Sequence, residues 1–178
     1  MKKLLIRGLM VLAVVIALPF VAALVMPREF TVEREVEIAK SPQEVYDYMR
    51  VLENQPKFSM WAQLDPKMQK SFRGDSGEVG SVFAWNSEEE NVGIGELAIV
   101  GLEDGKRIDL EIRFEKPFVS KDPTHITFEK VEGEKTRVKQ VYKGKFNYPM
   151  NLLCFLAQSA IGDGMQKTLE NLKGEMEK

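Results

Sequence analysis

The chain has 178 residues, 29% of them charged, and a formal net charge of −2, which suits one domain of ordinary size. Its lysines and arginines do not cluster with aromatic residues, which argues against a nucleic-acid binder. A single cysteine, Cys154, excludes an intrachain disulfide and a cysteine-based metal site. The single histidine, His125, takes the solvent-facing parity of a predicted strand, so we predict no metal ion and no cofactor.

The first 28 residues are predicted to form a membrane anchor that precedes a domain at residues 29–178. Three basic residues come before an uncharged run at residues 8–27. At ~1.5 Å per residue, this run spans about 30 Å, the thickness of a hydrocarbon core. The basic flank predicts a cytoplasmic N-terminus, with the domain on the outer side of the cytoplasmic membrane. The alternative is a cleaved signal peptide, but the run stays apolar through Met26 without a polar segment, which favours a retained anchor.

The first strand is predicted at Phe30–Ile38, where apolar and polar side chains alternate. Arg34 is the exception, because it shares the inward parity of the apolar residues. Two interpretations stay open. In one, its guanidinium pairs with Asp65 or Glu96 near the rim of the sheet. In the other, it binds the carboxylate or phosphate of a ligand.

A helix and six further strands are predicted next. A capping box at Ser41–Glu44 begins a helix that runs to about Leu52, and a short aromatic connection leads to Trp61. Asp104-Gly105 predicts a two-residue hairpin between two of the strands. Short connections favour an antiparallel meander over parallel crossovers. The predicted strands are Met68–Arg73, Ser81–Asn86, Val92–Leu102, Arg107–Glu115, Thr124–Val131 and Thr136–Phe146.

The strand at Arg107–Glu115 alternates most regularly, so its sheet has one apolar face and one solvated face. An apolar face requires a cover. The C-terminal region is predicted to supply this cover as a helix in two pieces. The first is Pro149–Ile161, and the second is capped by Asp163 and carries apolar residues at helical spacing.

Several short segments occur in one order that indicates a family resemblance. They are Phe30–Arg34, the capped helix at Ser41, Trp61–Met68, Phe72–Gly74, Trp85, Gly93–Gly95, Ile108–Phe118, Thr136–Val138 and Leu169–Lys173. From Phe30 to its end, the chain resembles the polyketide cyclase/dehydrase and lipid-transport superfamily (SRPBCC), which is related to START domains and the birch-pollen allergen. The resemblance implies an α+β helix-grip fold. In that fold a curved antiparallel sheet of about seven strands wraps around a long C-terminal helix, with an apolar cavity between them.

Strand parity and the resemblance together predict which residues line this cavity. Glycines such as Gly95 would leave volume for a ligand; the alternative is ordinary core packing in which glycine allows strand curvature. Gln140 and Tyr142 are the inward polar candidates on the last strand. The predicted ligand-contacting residues are Arg34, Phe58, Trp61, Phe83, Trp85, Leu97, Leu110, Phe114, Gln140, Tyr142, Met150, Leu153 and Met165.

Three functions remain open at this stage. The leading hypothesis is a membrane-anchored, non-catalytic domain that binds a hydrophobic small molecule or lipid. The first alternative is a cyclase- or dehydratase-like enzyme that works in the same cavity. Its polar chemistry would come from Arg34, Glu96, Gln140 and Tyr142, without an inward histidine. The second alternative is a protein-interaction module, which would have a filled core and an exposed apolar patch.

Overall fold

The computed structural model describes residues 2–178, and for Lys2, Leu4 and Leu5 it describes the backbone alone. Short 3-10 turns lie at Leu52–Asn54 and Met150–Leu153. The helices of the described chain are α1 (Lys2–Val25), α2 (Pro42–Arg50), α3 (Gln55–Phe58), α4 (Met60–Leu64) and α5 (Cys154–Met176). Its strands are β1 (Glu29–Ile38), β2 (Gln69–Arg73), β3 (Val82–Asn86), β4 (Ile94–Glu103), β5 (Arg107–Lys116), β6 (Ser120–Val131) and β7 (Lys135–Lys145).

The strands form one antiparallel sheet in the order β1-β7-β6-β5-β4-β3-β2. Strands β2 to β7 follow one another as a meander, and β1 pairs with β7 at the edge. The sheet curves around α5, whose Leu169 and Leu172 are fully buried. The predicted antiparallel meander and helix-grip fold are therefore confirmed.

The capping box at Ser41 is confirmed by reciprocal hydrogen bonds. The backbone N–H of Ser41 donates to Oε2 of Glu44 at 3.0 Å, and the N–H of Glu44 donates to Oγ of Ser41 at 3.3 Å. These bonds satisfy donors that a helix start otherwise leaves unpaired. Helix α2 follows the last residue of β1 and therefore lies at the end of the sheet opposite to α1.

Two local predictions are wrong. The β4–β5 loop has three residues, because Glu103 pairs with Arg107 and Gly105 adopts a φ of +64° within the turn. The cover is a single α5 that passes Asp163 without a break. Gly162 is buried against Arg34 of β1 and Gly164 against Trp61 of α4, and this packing offsets the low helix propensity that glycine gives the segment.

Helix α1 projects away from the domain. From Ile6 to Met26 every side chain except that of Ala23 is exposed, and Ile6–Val25 is long and apolar enough to cross a membrane. The C-terminal end of α1 contacts the 3-10 turn before α5. There Asn151, fully buried, donates from Nδ2 to the carbonyls of Ala23 at 2.7 Å and Met26 at 3.0 Å. A retained anchor and a signal peptide both require such an apolar helix, so its retention stays a prediction.

His125 lies on the outer face of β6, opposite Asp109 and Val141. Partial burial, aided by Arg107, lowers its pKa below the ordinary value of 6.5. The imidazole of His125 thus binds a proton less tightly in the folded chain than in the unfolded chain. The neutral imidazole therefore contributes stability above the unfolded pKa, and that stability is lost as the pH falls below it.

We expect His125→Gln to lose less unfolding free energy than the wild type between about pH 7 and about pH 5, because glutamine cannot be protonated. Urea denaturation of both proteins in detergent at the two pH values measures this difference. An equal loss in the two proteins would contradict the assignment.

Candidate ligand-binding site

Two apolar clusters occupy the space between the sheet and α5. The larger cluster lies toward α2 and includes Phe58, Leu97, Leu110 and Leu169. The smaller cluster lies toward α1 and consists of the buried residues Phe30, Val32, Tyr142, Cys154 and Met165. Ile112 of β5 is partly buried and packs against both clusters. We call the partly exposed inner surface around Ile112, where the two clusters meet, the gap.

Inward-facing aromatic residues around this gap are not fully buried. Trp85 of β3 and Phe114 of β5 both pair with Gly95 of β4, and their rings meet edge to face with centroids 5.9 Å apart. Trp61 of α4 approaches from the α5 side. All three remain partly exposed, as does Ile112. Because an inward side chain in a filled core is fully buried, solvent reaches the inner face of the sheet here.

Aromatic rings pack directly against two glycines of this region. A Cβ at Gly95 would lie 2.8 Å from the Trp85 ring, and one at Gly164 would lie 2.6 Å from the Trp61 ring. Glycine at both positions lets an indole ring lie directly against the backbone. The volume released by these glycines is thus filled by tryptophan, which favours the core-packing interpretation at these two positions.

Arg34 and Gln140 form a polar pair at the edge of the gap. They are directly opposite each other on β1 and β7, and both side chains face inward and are partly buried. The Arg34 guanidinium lies against Gly162 of α5, where a side chain would collide with it. Its Nη1 donates to the carbonyl of Glu33 at 2.7 Å. Within residues 2–178, no carboxylate lies within ion-pair distance of Arg34 and the Gln140 amide makes no hydrogen bond, so both can still bind a ligand.

The ion pair predicted for Arg34 is wrong. Asp65 instead accepts a hydrogen bond from Oγ of Ser87 at 2.6 Å. Glu96 lies on the outer face, where it pairs with Arg113 at 2.7 Å and with Arg73. The hydrogen bond from Arg113 is the main cause that lowers the pKa of Glu96. Glu96 has the parity opposite to Leu97, so it cannot serve as an acid or base inside the sheet.

Asp122 is the inward polar residue that sequence reasoning missed. Strand β6 begins at Ser120, four residues before its predicted start, and the alternation therefore extends back to Asp122. Pro123 interrupts the strand-like sequence. It is tolerated because the β6–β7 pairing begins only at Thr124. Extending the inward parity across the proline would have found Asp122.

The Asp122 carboxylate is buried and accepts two hydrogen bonds. Tyr142 donates from its hydroxyl at 2.9 Å, and Ser120 donates from Oγ at 2.7 Å, both to Oδ2. Burial, together with the nearby Asp122 charge, raises the pKa of Tyr142 far above its usual range. Tyr142 therefore stays protonated at physiological pH and acts as a hydrogen-bond donor.

The structure brings most of the predicted ligand-contacting residues to the inner side of the sheet, but not all. Met150 and Leu153 lie on the domain surface in the 3-10 turn that contacts α1. They face away from the gap because Asn151, between them, turns inward to bond the end of α1. The residues around the gap are Arg34, Trp61, Trp85, Phe114 and Gln140, and those packed in the two clusters are Phe58, Phe83, Leu97, Leu110, Tyr142 and Met165.

A separate concavity of about 570 Å³ lies outside the sheet, between α4 and the β3–β4 tip. Its lining includes Asp65, Lys67, Asn86 and Glu88, and none of the predicted ligand-contacting residues. Within residues 2–178, no three His, Cys, Asp or Glu side chains are grouped so that they could hold a metal ion. The apolar gap near Ile112 is therefore the candidate site.

Solved structures share this architecture at low sequence identity. Norcoclaurine synthase from Thalictrum flavum is 12% identical with a TM-score of 0.64, and the match covers 82% of this chain and 91% of that one. Ara h 8.0201 is 15% identical with a TM-score of 0.56, covering 83% and 97%. The di-domain ARO/CYC protein StfQ of the steffimycin biosynthetic pathway is 12% identical with a TM-score of 0.64, covering 84% and 51%. These likenesses show the fold.

No protein-family profile and no curated protein sequence matches the chain. The structural neighbours agree with the superfamily resemblance at the level of the helix-grip fold. Identities of 12% and 15% carry no ligand or reaction from those proteins to this one.

Proposed function

We propose that the protein is a membrane-tethered, non-catalytic binding domain for a hydrophobic small molecule or lipid. The observation that carries this proposal is the partial exposure of Trp61, Trp85, Ile112 and Phe114. These side chains face inward between the two apolar clusters and lack complete cover. An apolar ligand that seats against them removes their surface from water.

The driving force for such binding is the transfer of apolar surface. At ~25 cal/mol per Å², a ligand that buries a few hundred Å² gains several kcal/mol. Loss of translational freedom and ordering of side chains offset part of this gain. The remainder supports reversible binding, as a carrier or sensor requires.

The direct test is native mass spectrometry of the full-length protein released from nanodiscs, followed by organic extraction and lipid analysis. We expect an apolar molecule to leave with the protein and to be displaced by a fluorescent apolar probe. Protein that is reproducibly empty and also fails to bind the probe or fatty acids would overturn the proposal.

Arg34 supports an anionic group at one end of the ligand, because its guanidinium has no carboxylate partner among residues 2–178 and lies beside Gln140. We expect Arg34→Met to weaken the binding of a fatty acid by about 10- to 150-fold, since a charge-assisted hydrogen bond is worth roughly 1.5–3 kcal/mol. Binding of the matched fatty alcohol should change little. Isothermal titration with the two ligands measures the difference.

Lys143→Met is the matched control, because Lys143 is an exposed cation on the outer face of β7. It should bind both ligands as the wild type does. Equal weakening of acid and alcohol by Arg34→Met would show that the guanidinium does not contact the anionic group, while leaving the apolar gap as the site.

Retention of α1 as an anchor belongs to the same proposal. Its exposed apolar side chains between Ile6 and Met26 have no cover in the domain and are suited to a hydrocarbon core. Full-length protein should be found in the membrane pellet and resist a high-salt wash. A shortened product in the soluble fraction would show cleavage instead.

The buried Asp122–Tyr142 pair favours one second candidate, a cyclase- or dehydratase-like enzyme in the same gap. In this pair the Asp122 carboxylate can accept a proton from a ligand, and the Tyr142 hydroxyl, which donates to Asp122, holds that carboxylate in position. If the protein turns over a bound ligand, Tyr142→Phe should lower kcat and leave ligand affinity largely intact. Product formation at the wild-type rate by this variant would exclude that role.

A further inference from the structure

Helix α1 enters the domain at one end of the sheet, where several exposed apolar side chains also lie. Strand β1 begins there at Glu29, opposite Lys145. The β5–β6 connection and the start of α5 are at the same end, next to the last residues of β7. We name these side chains the anchor-side face: Phe118, Val119, Tyr148, Phe155 and Leu156.

The exposure of these side chains is high for residues of their size. Val119 is 88% exposed, Phe155 74%, Leu156 64% and Phe118 52%. The connections at the opposite end of the sheet are polar, such as Asp104–Lys106 and the β6–β7 turn around Gly133. Several large apolar side chains exposed at the same end of a domain indicate a contact surface rather than ordinary solvent exposure.

We propose that the anchor-side face lies in the interfacial layer of the same bilayer that α1 spans. This inference rests on the proposed tether. Hydrogen bonds from Asn151 to the carbonyls of Ala23 in α1 and of Met26 just after it join helix and domain directly, so the face cannot move far from the membrane surface. Apolar side chains in this position enter about 5–10 Å into the boundary between headgroups and acyl chains.

The positions of the charged residues around the anchor-side face favour one orientation of the domain on the bilayer. Arg28 and Lys116 are exposed beside it, and within residues 2–178 neither lies within ion-pair distance of a carboxylate. Both can meet lipid phosphates. The acidic β3–β4 tip, Glu88–Glu90, is at the same end but across the sheet from β1, so the domain tilts its β1 and α5 side toward the membrane.

This orientation identifies the source of the ligand. The smaller apolar cluster, which includes Phe30 and Met165, lies between the anchor-side face and the gap near Ile112. A lipid-like molecule that leaves the bilayer under the first turns of α5 therefore follows apolar side chains to the site. It does not need to cross water.

Single tryptophans introduced into the full-length protein test the proposal in liposomes that contain brominated phospholipids. Phe155→Trp and Val119→Trp should show blue-shifted emission and lose fluorescence to the bromines, after subtraction of the wild-type signal from Trp61 and Trp85. Val79→Trp is the matched control, because Val79 is an exposed aliphatic residue at the opposite end of the sheet. Its added fluorescence should be unquenched.

Flotation of the same liposomes separates the possible failures. If the protein floats after a salt wash but positions 155 and 119 are no more quenched than position 79, the interfacial contact is wrong and the tether stands. If the protein does not float, the tether fails, and the membrane contact fails with it. Quenching at positions 155 and 119 alone supports the proposal.

Discussion

Ile112→Trp should abolish binding of an apolar probe while changing the free energy of unfolding by no more than about 1 kcal/mol. Ile112 faces inward, packs against both clusters and is partly exposed, so the gap has room for a larger ring. The indole then occupies the place of the ligand. A fluorescence titration measures binding, and chemical denaturation in detergent measures stability.

Ile108→Trp is the control on the same strand and the same face. Ile108 is 1% exposed inside the larger cluster, where extra volume forces side chains out of their preferred rotamers and costs roughly 1–3 kcal/mol. The test depends on the difference in unfolding free energy between Ile112→Trp and Ile108→Trp. If Ile112→Trp is as destabilising as Ile108→Trp, the space is filled and no ligand fits there.

Leu169→Ala is expected to destabilise the domain by roughly 2–5 kcal/mol, because Leu169 is fully buried where α5 meets the sheet. The loss is a large share of the ~5–15 kcal/mol that stabilises an ordinary domain. Chemical denaturation monitored by the fluorescence of Trp61, which packs on α5 at Gly164, measures it.

Leu156→Ala on the same helix is the control, since Leu156 is 64% exposed. Its effect on the unfolding free energy in detergent should stay within about 0.5 kcal/mol. Similar losses for the two variants would mean that α5 is not held by its sheet-facing side. Packing of the sheet against α5 would then contribute little to the unfolding free energy.

The candidate site and the proposed membrane contact depend on different parts of the same helix. The C-terminal half of α5 is packed through Leu169 and Leu172, whereas its first turn exposes Phe155 and Leu156. Between these parts, Gly162 and Gly164 admit Arg34 and Trp61 close to the helix axis. The C-terminal half packs against the sheet, and the exposed N-terminal half is available for the proposed contacts with lipid and ligand.

Local features were predictable because each depends on a short run of residues. The alternation in Arg107–Glu115 and the capping box at Ser41 set faces and helix starts through neighbouring residues alone. The same local logic identified the apolar N-terminal helix and the outward position of His125. It also gave the inward parity of Arg34, Gln140 and Tyr142.

What the sequence by itself determined, therefore, is the order of the elements, the inner and outer faces of the strands and the apolar character of α1. The partner of each inward polar group was decided by tertiary structure. Arg34 meets Gly162 rather than a carboxylate, Tyr142 meets an aspartate beyond a proline, and Asn151 joins α1 to the domain. These contacts link residues far apart in the chain, and periodicity holds no information about which distant side chains pack together or how completely they fill the space between them.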